Sequence, residues 1–329
     1  MTTVNSTART VLCCLVILPA ACWALVRLTG SERGPLVQLL AFTPYIAAWS
    51  LLPLVLMLVL RRRWLAGIAG LVVVALAWAV LPRAFGTAET GAAGAVALRV
   101  LTANMQFGAA DPVALVDLVR DQRVDVLALQ EYTPEAAAAL RTAGLDRELP
   151  YAESHPLPKA SGSALYSRYP LTDGGVRVNP GQFAQAHAIV TVPGAQPVLV
   201  ESVHTTPPAH LDNLNYWRTD LASQPNATAP PAGVPRILAG DFNATLDHAP
   251  LRDLIARGYR DAAATVGAGF VGTWGPYAGR HGTGRPIPPI AIDRVLADQR
   301  IGVGEVSAHS VPHTDHRALA VVLFVPTRP

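Results

Sequence analysis

Three apolar runs, residues 11–28, 36–60 and 65–81, crowd the first quarter of the 329-residue chain and decide where it can reside. As helices rising 1.5 Å per residue they would reach about 27, 37 and 25 Å, close to a bilayer hydrocarbon core of about 30 Å. They stay apolar all round, which the striped surface helix of a soluble bundle does not. The sequence therefore predicts three transmembrane helices within residues 1–82, the second kinked at Pro44 and Pro53 with neighbouring helices covering the freed carbonyls. Composition agrees: 51% of residues are hydrophobic and 15% charged, against about 25% charged in an ordinary soluble domain. A cleaved signal ending at Cys22 is the competing reading of the first run. Pro19 suits such a site poorly, and Trp23-Ala24-Leu25-Val26 continues the apolar run instead of opening a polar mature end.

Charge divides the chain at Arg99. Seven arginines and two glutamates before it leave a balance of +5, whereas 19 basic and 21 acidic residues from Arg99 onward leave −2. Arg61-Arg62-Arg63 is the dense cationic loop between spans, so the positive-inside rule places it and the N-terminus in the cytoplasm and everything after Leu81 outside. Trp64 and Trp78 fall near opposite ends of the third run, where interfacial anchors belong. A distal part without net basicity is poorly suited to non-specific duplex binding, which depends on neutralising many phosphates. Its lack of cysteine fits an oxidising compartment, all three cysteines (Cys13, Cys14, Cys22) lying in the first apolar run.

Residues 83–98, with a Gly-Ala-Ala-Gly-Ala tract, read as a linker; about 15 extended residues reach only about 50 Å, which would hold the distal part near the lipid headgroups. From Arg99 the texture turns to short β-rich runs at 98–103, 124–129, 163–167, 197–203, 236–239, 290–296 and 318–324. Asp111-Pro112 and Thr133-Pro134 each supply an N-cap and a first helical residue, and a third helix is expected from about 247 to 258. Strands that first alternate with helices and then dominate imply an α/β two-sheet sandwich over residues 99–329.

Polar residues recur where these strands run out: Asn104, Gln130-Glu131, His204, Asp241-Phe242-Asn243, Asp293 and Asp315-His316. Each alone has an ordinary reading as a turn former, loop acid or structural imidazole. Together, in this order, Asn104, Gln130-Glu131, Ser167-Arg168-Tyr169-Pro170-Leu171, His204 with Pro208, Gly240-Asp241-Phe242-Asn243, Ile292-Asp293 and Asp315-His316 resemble the endonuclease/exonuclease/phosphatase superfamily. The resemblance implies a four-layer α/β/β/α sandwich with one metal-dependent phosphoesterase site at one end of the sheets. It implies Glu131 as the principal ligand of Mg²⁺ or Mn²⁺ with Asn104 beside it, and Asp315 supporting metal or water; oxygen donors suit such hard cations. It further implies that Asp241 orients or deprotonates the attacking water and that Asn243 holds the phosphate or that water. His316, its tautomer fixed by Asp293, would stabilise the phosphoryl group or move a proton, and His204 would donate to a non-bridging phosphate oxygen. Gln106 stands where many nucleases of the superfamily carry Asp or Asn, and the His-x-x-x-Pro setting of His204 looks more like the phosphatase and phospholipase branches.

Three membrane spans followed by this domain are similar to the actinobacterial teicoplanin-resistance membrane proteins of that superfamily. That similarity implies an enzyme of the cell envelope, with membrane lipids or a lipid-linked phosphate as its partner and no specific nucleic acid. An anchored extracytoplasmic nuclease or nucleotidase, and a non-catalytic envelope-binding module, are the alternatives.

Overall fold

Proline sets the layout of the apolar N-terminal part. In the computed structural model, which describes residues 6–91, 94–231, 233–277 and 286–327, this part folds as α1 (Ser6–Thr29), α2 (Leu36–Leu40), α3 (Thr43–Trp49), α4 (Leu51–Val59) and α5 (Arg63–Val80). Two stretches, Thr7–Thr29 and Arg63–Ala84, are long and apolar enough to cross a membrane by length and composition. The expected middle span is not among them: the run at 36–60 is three short helices broken near the two prolines expected to kink it, with Thr43–Val59 a shorter apolar stretch. Pro44 has no N–H to offer the carbonyl of Leu40, which accepts the Thr43 hydroxyl at 2.6 Å instead. The Pro53 ring likewise excludes the Trp49 carbonyl four residues back, and the break falls at Ser50, whose Oγ donates to Ala47 O at 2.6 Å.

By chain contacts this first unit comprises Met1–Pro82 together with Leu246–Ala249. Cys13, Ile17, Met57, Ala66 and Ala69 are buried against Leu54, Leu65 and Val72, and the two alanines let α5 approach its neighbours closely. Asp247 forms a buried ion pair with Arg27 at 2.8 Å, and Glu32 accepts the Ala249 N–H at 2.7 Å. Outward side chains include Leu12, Leu15, Leu18, Leu25, Leu58, Val59, Leu71 and Val74, with Trp64 and Trp78 exposed.

The second unit, Arg83–Thr245 with Pro250–Pro329, is a sandwich of two six-stranded sheets. In chain order its strands are β1 (Val96–Asn104), β2 (Val126–Gln130), β3 (Tyr151–His155), β4 (Ser163–Ser167), β5 (Leu171–Val178), β6 (Ala184–Val190), β7 (Val198–His204), β8 (Arg236–Asp241), β9 (Tyr259–Asp261), β10 (Asp293–Asp298), β11 (Gly302–Ser310) and β12 (Arg317–Val325). The helices are α6 (Pro112–Asp121), α7 (Pro134–Ala143), α8 (Leu145–Glu148), α9 (Leu214–Ala222), α10 (Ala249–Ile255) and α11 (Ala262–Thr265). One sheet runs β11-β12-β1-β2-β4-β3, the other β5-β6-β7-β8-β10-β9. Each has one parallel pair at its centre, β1 with β2 and β7 with β8, all other pairs being antiparallel.

The alternation of side chains along each strand builds the layers. Leu98, Val100, Val126 and Ala128 face Ala186, Ala188, Val200, Ile237 and Val295 between the sheets. Leu101, Ala103, Leu127 and Leu129 face outward under Leu115, Val116, Val119 and Leu140 of α6 and α7. Both caps expected at the helix starts are made: Asp111 accepts from Val113 N and Ala114 N, and Thr133 from Ala136 N. The stretch expected as a linker is hydrogen-bonded to the sandwich, with Gly269 N donating to Arg83 O at 3.0 Å and Glu89 N to Val303 O at 2.8 Å.

This topology places the site. β1, β2, β7 and β8 all end at the same edge of the sandwich, and β10 and β12, antiparallel to β8 and β1, begin there. In register, Asp241 lies between His204 on β7 and Asp293 on β10, while Asn104 lies beside Gln130.

Candidate active site

Strong constraints hold the ends of these strands. Gln106, Phe107, Glu131 and Asn243 all have positive φ, between 43° and 56°, a conformation that side-chain-bearing residues adopt rarely and mostly where function or packing demands it. In the first turn the Asn104 Oδ1 accepts the Gln106 N–H at 2.9 Å, which fixes the amide with its nitrogen toward the centre. That nitrogen donates to Glu131 Oε1 at 3.1 Å and to Asp241 Oδ2 at 3.0 Å, bridging two carboxylates from different sheets. Phe107 N donates to Glu131 Oε2 at 2.7 Å. Below them the Gln130 amide donates to Ser202 Oγ at 2.9 Å and accepts from Thr102 Oγ1, a polar floor that joins the two sheets.

All eight residues singled out in the sequence converge here. Asp241 Oδ1 accepts the Asn243 N–H at 2.8 Å, closing an Asx turn, and the Asn243 amide donates to Thr205 O at 2.8 Å. His316 Nδ1 lies 2.9 Å from Asp293 Oδ2, and its Nε2 is 3.8 Å from Asp241 Oδ2 and 3.9 Å from Asp315 Oδ1. His204 Nε2 reaches toward Asp241 Oδ2 and Glu131 Oε1 at 3.8 and 3.9 Å. Phe183 packs edge-on against the His204 ring with centroids 4.6 Å apart.

Burial in this acid-rich crevice shifts each titration differently. His316 is pulled down by burial, but the Asp293, Asp241 and Asp315 carboxylates more than offset this and raise it to about 10. Burial and the neighbouring Asp293 push Asp241 up to about 7, near where a general base is most effective at neutral pH. Glu131 is also raised, chiefly by burial. His204 is lowered to about 3 by burial and by the charged His316. Its Nδ1 lies 3.2 Å from Ala160 O, an acceptor only, so in the neutral ring Nδ1 carries the proton and Nε2 presents a lone pair to the crevice. To donate to a phosphate oxygen it must take up a proton, which an incoming anion favours.

The donor set fits a divalent cation. Glu131, Asp241, Asp293 and Asp315 bring four carboxylates to one crevice, and burial opposes the ionisation of Glu131 and Asp241. That deficit of positive charge is what a hard cation with oxygen ligands supplies. Asp241, Asp293 and His316 offer ligand atoms within 4.8 Å of one another, yet both His316 nitrogens face carboxylates, the setting of a charged proton donor. Glu131, with Asp315 close enough to oppose its ionisation, is the better hard-cation side of the crevice.

Several supporting contacts carry no sequence signature. Trp274 Nε1 donates to Asp315 Oδ2 at 3.1 Å, Thr273 Oγ1 accepts the backbone N–H groups of Ile292 and Asp293, and Trp217 Nε1 donates to Asn243 O. Buried Asp220 accepts from Gly181 N, Thr206 N and Thr206 Oγ1, tying α9 to the turn after His204. Arg168 belongs elsewhere: it pairs with Asp125 and donates to Val124 O at the opposite end of β2.

The profile of the Endonuclease/Exonuclease/phosphatase family matches residues 101–316, which spans every one of these site residues. The chain belongs to this family. Solved structures agree on the fold of the family domain. An endonuclease/exonuclease/phosphatase from Beutenbergia cavernae aligns at 20% identity over 70% of this chain and 72% of that one, with a TM-score of 0.52. D. rerio TDP2 complexed with single strand DNA product aligns at 15% identity over 69% and 98%, with a TM-score of 0.56. A family protein from Leptotrichia buccalis gives 15% identity over 69% and 99%, with a TM-score of 0.51. A search of the curated proteins found no match.

Proposed function

We propose that the protein is a membrane-anchored, divalent-metal-dependent phosphoesterase that works at the outer face of the cell membrane on a lipid-linked phosphate or pyrophosphate of the envelope. Residues 1–82 are its anchor, residues 83–98 its connection and residues 99–329 its catalytic domain. The observation that carries the reading is Asp241, raised to about 7 and held between the Asn104 amide, Asp293 in register and the His316 and His204 rings. In such a setting Asp241 orients a water and takes its proton, while Asn243, fixed by its Asx turn, borders the same space. His316, charged and braced by Asp293, offers Nε2–H to the phosphoryl oxygens or to the leaving oxygen. Mg²⁺, or Mn²⁺, held from the Glu131 side with Asn104 and Asp315 adjoining, would neutralise charge on the phosphoryl group. The architecture of apolar helices ahead of this domain supports an envelope role of the kind that contributes to teicoplanin-type resistance.

The test is phosphate release from a polyprenyl pyrophosphate in liposomes by the full chain, with and without Mg²⁺, and with Asp241→Ala. Release that needs the metal and disappears in the variant is expected. No release from the folded, metal-loaded protein would overturn the lipid-phosphate reading. Nucleic-acid cleavage falling steeply with salt would favour the anchored nuclease instead.

A further inference from the structure

The loops around the active site carry a set of exposed apolar side chains that the chemistry does not use. Phe107 follows the end of β1 and is 50% exposed, and Val113, in the first turn of α6, is 58% exposed. Leu157, in the β3–β4 loop whose backbone bonds Tyr132 O, is 41% exposed. Leu211, beyond the turn after His204, is 55% exposed, and Phe270, three residues before Thr273, is 43% exposed. Four segments, the β1–α6 connection supplying two side chains, thus present large apolar groups around the strand ends that carry the site. At the other end of the sheets, residues 122–125, 168–170, 192–197 and 299–301 carry no exposed large apolar side chain, and Tyr151 at the start of β3 is 42% exposed there.

Exposed apolar side chains scattered singly are ordinary, but a set gathered around one polar crevice marks an interaction face. One occupant fits the chemistry of the chain. Phe270 lies under the Arg83 guanidinium at 5.7 Å, and the backbone of its neighbour Gly269 bonds Arg83 O. Arg83 follows the end of α5, one of the two membrane-length apolar helices, by three residues. A helix of that kind ends at the lipid headgroups, where an exposed aromatic ring such as Phe270 is at home, while Arg83 itself is buried and ties that ring to the end of the helix. Lys159, the one lysine of the sequence, is exposed two residues beyond Leu157 and suits an anionic headgroup.

We propose that Phe107, Val113, Leu157, Leu211 and Phe270 form a docking rim that enters the headgroup and acyl boundary of a bilayer, so that the site takes phosphoryl groups from lipids held in the membrane. This deepens the lipid-phosphate reading and rests on it. Shallow insertion of separate apolar side chains is sufficient, because the apolar helices already hold the protein at the membrane.

The experiment uses the full chain in liposomes, with Cys13, Cys14 and Cys22 replaced by alanine and an environment-sensitive fluorophore on a single new cysteine. Val113→Cys and Leu211→Cys report the rim. Asp121→Cys, exposed at the other end of the same helix as Val113, is the control. Nitroxide lipids are expected to quench the two rim positions and not the control. Rim probes as wet and unquenched as Asp121→Cys would overturn the proposal. As a second readout, Leu157→Ser with Leu211→Ser should lower hydrolysis of liposomal polyprenyl pyrophosphate about tenfold or more, the scale set by losing two apolar insertions. Hydrolysis of a soluble phosphoester should stay unchanged. An equal fall on both substrates would also overturn it. Quenching without hydrolysis of any lipid phosphate would sink the catalytic reading and leave the docking rim standing; lipid hydrolysis without quenching would do the reverse.

Discussion

His316 shows how this site sets its own charges. Its ring is buried and would be neutral in an apolar pocket, yet Asp293 at 2.9 Å and two further carboxylates keep its proton on to about pH 10. Because the folded value lies above the ordinary one of about 6.5, the pair's contribution to stability is complete below that value and is lost as pH climbs toward 10. In metal-free protein, NMR of the imidazole should therefore show His316 charged across the neutral range. Asp293→Asn removes the strongest raising influence, so the His316 titration should move down, and hydrolysis should fall between about a hundredfold and ten-thousandfold. An unmoved titration would mean that Asp293 does not govern the ring. His204 behaves in the opposite sense, since burial and its charged neighbour leave it neutral. Two imidazoles that the sequence presents alike are thus given different protonation states by their surroundings.

At the scale of elements, the site depends on how closely β7 approaches β8. Gly240 sits where an added Cβ would meet the carbonyl of Val203, a backbone atom that cannot move aside without shifting the strand. Gly240→Ala is therefore expected to cost about 1–3 kcal/mol, as overpacking does, and to displace His204 and Asp241, the residues following Val203 and Gly240. Thermal unfolding measures the first effect and hydrolysis the second; a variant as stable and active as the parent would show that the strands can part there. The same pairing explains why so much of the site was legible in the sequence. Strand ends preceding polar residues are local signals, and the parallel and antiparallel pairings then bring Asn104, Glu131, His204, Asp241, Asp293 and His316 together. The residues that escaped act through other means. Trp274, Thr273 and Asp220 contribute by bonds to partners distant in sequence or to main-chain groups, which no spacing encodes. The exposed edge strand β5, with Gly174 and Gly175 inside it, lacks the apolar alternation that marks a strand. In the run at 36–60 the two prolines expected to kink one span go further and divide it into short helices, because a missing N–H and a ring clash are insensitive to how apolar the neighbours are.

Across the whole molecule, charge and hydropathy are partitioned more sharply than the net charge of +3 suggests. Arg61 and Arg62 stand immediately before α5 and Arg63 opens it, and the chain after α5 has little net charge until the sandwich, which is slightly acidic. Under the positive-inside rule the triplet would stay in the cytoplasm, and the proposed orientation then puts the end of α5 and the family domain outside. A single Asp121→Cys in the background with all three native cysteines replaced by alanine should then react with a membrane-impermeant maleimide in intact cells. Replacing Arg61, Arg62 and Arg63 with glutamine removes the retention signal, and the labelled fraction should fall as part of the population inserts the other way round. Labelling of the Asp121→Cys protein only after lysis would place the domain in the cytoplasm. That outcome would remove the envelope substrate while leaving the family, the fold and the geometry around Asp241 intact, because those rest on residues 101–316 and not on the helices before them.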